Sequence, residues 1–180
     1  AKLAEAEKHI KIENQKSKWY ELSNYPKITE NEGLRRFCVV AYWSKITYEK
    51  NTYIIDLDTI SAFSSEPDNK RITFWLPNSC QPIILNPQGN YEAYKQILEY
   101  IKKTIDRNFK GSWIKINYDR KEFAIDLSRI SSFACEQNGR LISFCLPDSA
   151  TNIILMREGN SEDYQKIQEY IKNMTGHSLP

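Results

Sequence analysis

The chain has 180 residues, with 25 Lys+Arg against 23 Asp+Glu, a formal net charge of +2 and 41% hydrophobic residues. That length buries a real core, in one domain or two small ones, and the composition excludes collagen-like and wholly disordered classes. No apolar run approaches the roughly 20 residues of a membrane-spanning helix, and near-neutral charge gives no broad basic field for long nucleic acid.

The chain opens on Ala1 without an initiator Met, as expected of a processed or excised piece. Residues 1–18 (AKLAEAEKHIKIENQKSK) are too charged for a signal peptide and read as an exposed helix with a thin apolar face. Residues 22–33 contain Pro26 and read as a linker, and 35–42 (RRFCVVAY) extend the first strand or add an edge strand. Cys38, Cys80, Cys135 and Cys145 form no CxxC pair, and the histidines are His9 and His177, each near a terminus. Metal sites want close pairs or clusters, so free thiols are expected, with no metal and no cofactor, in a reducing cytoplasm.

The main signal is an internal duplication. Shifted by 70 positions, Trp43–Lys102 lies on Trp113–Lys172 without a gap and about 28 of 60 positions are identical. In the first copy, 43–50 and 53–57 read as strands about a Lys50-Asn51 turn. The second copy has Arg120-Lys121 there, a poorer turn, so a wider loop is expected. Strands follow at 60–66, 71–76 and 83–85, and Asn138-Gly139 in the second copy is a strong hairpin signal. Alternation puts Tyr53, Ile55, Leu57, Ile72, Phe74 and Leu76 on one face, with Phe123, Ile125, Leu127, Ile142, Phe144 and Leu146 repeating them. Each copy ends in a helix, with Asn90 or Asn160 as N-cap and a stripe of Tyr94, Ile97 and Ile101 or Tyr164, Ile167 and Ile171. The tail 174–180 is expected to fray.

The expected fold is α+β: two tandem antiparallel-sheet units of four to five strands, each followed by a C-terminal helix that covers the sheet. The segments are an N-terminal helix and linker at 1–35, a first repeat at 36–108 and a second at 109–175, the repeats packing about a pseudo-twofold axis.

Candidate chemistry is sparse. Asp56 and Asp126 recur at matching positions on the strand face away from the core, and an exposed or turn-bonding role outweighs acid–base work. No serine has a visible histidine base, and no phosphate-binding glycine loop is present. The aromatic and basic positions are more informative. Trp43 and Lys45, repeated as Trp113 and Lys115, face outward with Trp75. An exposed Trp beside Lys stacks a base and meets a phosphate, whereas a buried one packs repeat on repeat.

The run YIIDLDTISAF from Tyr53, followed by hairpin strands, an IIL strand and a helix ending YIK, resembles the later half of bacterial pleckstrin-homology-like modules. That resemblance implies protein or lipid-headgroup binding without catalysis. The tandem β-β-β-β-α order is also similar to the PUR and Whirly single-strand nucleic-acid binders, which would make Trp43, Trp113, Lys45 and Lys115 a stacking face. The function expected is a non-catalytic protein-interaction or scaffold module with a protein partner. Its alternative is single-stranded nucleic-acid binding.

Overall fold

The computed structural model describes residues 42–68, 70–108 and 112–180. All belong to one compact unit, Ala41–Pro180. The expected N-terminal helix and linker, and all of the 35–42 segment except Tyr42, lie outside the described residues. Among the described residues the fold is α+β, with antiparallel sheets and two helices. In the first copy of the duplicated sequence the elements are β1 (Trp43–Tyr48), β2 (Asn51–Asp56), a 3-10 turn (Leu57–Thr59), β3 (Ala62–Ser65), β4 (Ile72–Trp75), β5 (Pro82–Leu85) and α1 (Tyr91–Asp106). The same order returns as β6 (Trp113–Tyr118), β7 (Lys121–Asp126), a 3-10 turn (Leu127–Arg129), β8 (Ala134–Cys135), β9 (Leu141–Cys145), β10 (Asn152–Met156) and α2 (Ser161–Thr175).

The first hairpin of each copy turns one residue earlier than the sequence suggests. Tyr48 pairs with Asn51, and the turn residues Glu49 and Lys50 have φ of 50° and 56°. Asp119 and Arg120 repeat this at 49° and 60°, so the second loop is no wider than the first. Two successive left-handed residues make a turn whose twist matches the strands, here without the usual Asn or Gly. Gly139 is left-handed as well, at φ 65°, where Asn138-Gly139 signals a turn.

Alternation places the core. Ile46, Ile55, Leu57, Ile72, Phe74, Ile83 and Leu85 are buried beneath Ile97 and Tyr100 of α1. Ile116, Phe123, Ile125, Leu127, Ile142, Phe144, Ile153 and Leu155 form one cluster with Tyr164, Ile167 and Ile171 of α2. Polar ties fix each helix to its hairpin. Ser44 donates to Gln96 at 2.7 Å in the first copy, and Asp163 accepts from the Asn117 N–H at 3.1 Å in the second. Asn90 and Asn160 occupy the cap positions, but neither side chain caps its helix; the Asn160 Oδ1 turns back to the Met156 N–H at 3.2 Å. The tail is held as well: Leu179 packs on the second core and Arg157 donates to the Pro180 carbonyl at 3.3 Å.

The two copies are joined by strand pairing. One five-stranded sheet runs β5-β4-β3-β7-β6, so the second copy's first hairpin completes the first copy's sheet. The seam pairs Ala62 with Ile125, Phe63 with Ala124, Ser64 with Phe123 and Ser65 with Glu122. The Asp126 N–H donates to the Ser61 carbonyl at 2.9 Å beyond it. A twofold relation between the copies would also pair β2 with β8. Among the described residues β2 pairs only with β1 and β8 only with β9. The copies are therefore related one-sidedly, which corrects the expectation of a pseudo-twofold axis.

Candidate functional site

In β1, Ser44 and Ile46 turn inward and are buried, so Trp43, Lys45 and Thr47 turn outward by the strand period of two. Across the hairpin, Trp43 faces Asp56 and Lys45 faces Ile54. Trp43 is 59% exposed and Ile54 63%, and Lys45 shares their face, two residues from Trp43 and opposite Ile54. This outer hairpin face is the candidate site.

The second copy has the same face under cover. Trp113 stacks on Phe63 of the first copy with ring centroids 6.2 Å apart, and Phe63 also meets Phe74 at 5.7 Å and Tyr100 at 5.8 Å. Ala124, the counterpart of Ile54, is buried opposite Phe63. Lys115 stays exposed and pairs with Glu122 at 3.2 Å. Trp75 is half-buried against the second core. The five sequence candidates thus occupy different surroundings: Trp43 and Lys45 on a bare face, Trp113 and Lys115 at its covered equivalent, and Trp75 between the copies.

Asp56 and Asp126 are turn residues. Each accepts the N–H two residues on, Asp58 and Ser128 respectively, at 3.0 Å, and so starts its 3-10 turn. Asp126 also accepts the Ser128 hydroxyl at 2.6 Å and pairs with Arg129 at 3.3 Å. It is only 6% exposed, because the first copy covers the outer face of β7, so of its two expected roles the turn-bonding one holds and the exposed one does not.

Beside the seam, Asp58 gathers a polar cluster that the sequence does not announce. Its carboxylate accepts the Tyr100 hydroxyl at 2.6 Å and the Tyr42 N–H at 3.3 Å, while Arg129 of the second copy donates to its carbonyl. Burial, reinforced by the hydrogen bond to Asp58, holds the Tyr100 phenol far above the ordinary tyrosine range. A raised folded-state value means that the neutral phenol's contribution is complete below the unfolded-chain pKa of about 10 and fades as pH climbs towards the folded value. We expect Tyr100→Phe to cost about 1–3 kcal/mol at neutral pH and to flatten the loss of stability above pH ~10. Urea midpoints across alkaline pH check this; identical pH slopes would contradict it.

Among the described residues no His, Cys, Asp and Glu side chains cluster as a metal site requires. Cys80, Cys135 and Cys145 are free thiols. No helix of the described residues is long and apolar enough to cross a membrane. An open groove of about 770 Å³ lies between the β3–β4 turn (Pro67, Asp68) and the second hairpin (Asn117 to Lys121), with charges of both signs. Ile54 is not among the residues that the sequence pattern singles out. The available signal was the apolar run Tyr53-Ile54-Ile55, which breaks alternation on an outward position. No protein-family model matches the chain, and neither a curated protein nor a solved structure shows detectable similarity to it.

Proposed function

We propose that this chain is a non-catalytic protein-interaction module that docks its partner on the outer face of β1–β2, through Trp43, Ile54 and Lys45. The observation that carries the reading is the contrast between copies: Trp113 and Ala124 are covered by protein, while Trp43 and Ile54 at the same positions are bare. Exposed aromatic and aliphatic side chains flanked by a charge are the composition of a contact centre with a polar rim. The recurring carboxylates support the non-catalytic part, since Asp56 and Asp126 are occupied as turn acceptors and Asp58 by Tyr100. The resemblance to pleckstrin-homology-like modules points the same way, to binding without turnover.

Single-stranded nucleic acid on Trp43 and Lys45 is the competing outcome. Two measurements separate them. A photo-crosslinking phenylalanine at position 43, in cells making the protein, is expected to yield polypeptide adducts that the same group at 113 does not. Titration with single-stranded oligonucleotide at low salt is expected to leave Trp fluorescence unchanged. Salt-dependent quenching that Trp43→Ala removes would overturn the reading in favour of nucleic acid.

A further inference from the structure

The seam between the copies has an unused twin. Moving the β3–β7 register by the 70-residue repeat gives Ser132 opposite Ile55, Phe133 opposite Ile54, Ala134 opposite Tyr53 and Cys135 opposite Thr52. All eight residues are described, and none of these pairs forms within the chain. The burial contrast follows the same line. Ser61, Ala62, Phe63 and Ser64 are buried, whereas Ser131, Ser132 and Ala134 are exposed and Phe133 is half-buried.

The aromatic side chains sharpen the point. Phe63, Phe74 and Tyr100 form a trio that Trp113 completes. Phe133, Phe144 and Tyr170 form the same trio in the second copy, with centroids 5.4 and 6.5 Å from Phe133. Its fourth ring would be Trp43, which is instead 59% exposed. Five seam positions are identical in the unused pair: Ser61/Ser131, Phe63/Phe133, Trp113/Trp43, Ile125/Ile55 and Asp126/Asp56.

We infer that a second copy of this chain is the partner: β2 of one molecule adds to residues 131–135 of another in the seam's own register, and Trp43 completes the Phe133–Phe144–Tyr170 cluster. The inference rests on the proposed docking role of the β1–β2 face and names its occupant. The occupant follows from continuity with the seam, because the surface that fits β2 is already encoded in the second copy. Such a contact is heterologous, since the donor and acceptor strands differ. Two chains that exchange both close into a dimer, and otherwise growth gives larger rings or filaments. Pairing also gives a neighbour to two sheet edges that have none among the described residues, and folded proteins rarely leave such edges bare.

The test uses the full chain. Sedimentation across a concentration series is expected to show mass rising to at least twice the monomer, and Ile54→Lys is expected to return it to monomer. Ile154→Lys, at an exposed apolar position on β10 away from the seam register, is expected to leave association intact. A Thr52→Cys variant, with Cys38, Cys80 and Cys145 changed to Ser, places a thiol opposite native Cys135. Opposed residues in an antiparallel ladder lie about 4.5–5.5 Å apart at Cα, within disulfide reach. Mild oxidation is expected to give inter-chain, covalent multimers. A monomer at every concentration, an intra-chain Thr52→Cys/Cys135 bridge, or association indifferent to Ile54→Lys would each overturn the inference. Crosslinks from position 43 to other proteins together with a monomeric mass would sink self-association alone, whereas oligonucleotide quenching would sink the docking role itself.

Discussion

Phe63→Ala is expected to lower stability by about 3–5 kcal/mol, the cost of emptying a fully buried aromatic site. Phe63 is 1% exposed and touches three rings, one of them Trp113 of the other copy. Its loss therefore opens the first core and loosens the seam together. Phe133→Ala removes the same side chain from the corresponding place, yet Phe133 is half-buried and meets Phe144 and Tyr170 without a Trp. Its cost is expected to be smaller in the monomer. Guanidinium unfolding of the two variants side by side decides the matter, and equal losses would contradict a one-sided seam.

Tyr164→Ala is expected to be comparably severe, about 3–5 kcal/mol. Tyr164 is 1% exposed within α2, and its hydroxyl donates to the Gly139 carbonyl at 2.8 Å, tying the helix to the β8–β9 turn. The Arg157 guanidinium lies 5.4 Å from the ring centroid. Tyr164→Phe keeps the ring but leaves the Gly139 carbonyl without that donor, at about 1–3 kcal/mol. The counterpart Tyr94 is only half-buried, so Tyr94→Ala is expected to cost less than Tyr164→Ala. Thermal and denaturant unfolding test the order; a Tyr164→Phe variant as unstable as Tyr164→Ala would place the effect in the hydrogen bond rather than the packing.

Much of this architecture is legible in the residues. The 70-residue repeat, the inward Ile72, Phe74, Ile142 and Phe144, and the helical Ile97 and Ile167 all follow from patterning that one face of a sheet or helix must bury. The turn positions are less legible, because Glu49-Lys50 and Arg120 adopt left-handed geometry without the Asn, Asp or Gly that normally advertises it. Asn160 shows a similar limit: the cap position is right, but the side chain finds a strand amide instead of a helix amide. The one-sided seam is the least legible feature. Ser61, Phe63 and Asp126 are matched by Ser131, Phe133 and Asp56, so these positions do not tell the two pairings apart. Ile54 and Ala124 carry a hint, a large residue where the face is bare and a small one where it is covered.

The seam also bears on how the chain reaches this arrangement. Each two-residue hairpin closes among neighbours, whereas Ala62 and Ile125 meet only after roughly sixty intervening residues have been gathered in, an entropic debt that local contacts do not share. The hairpins and helices are thus suited to early formation and the seam to late consolidation, as expected when non-local pairing limits the rate. Until it closes, both copies offer interchangeable strands, and a newly made chain has the means to mispair with its neighbour before it has finished pairing with itself.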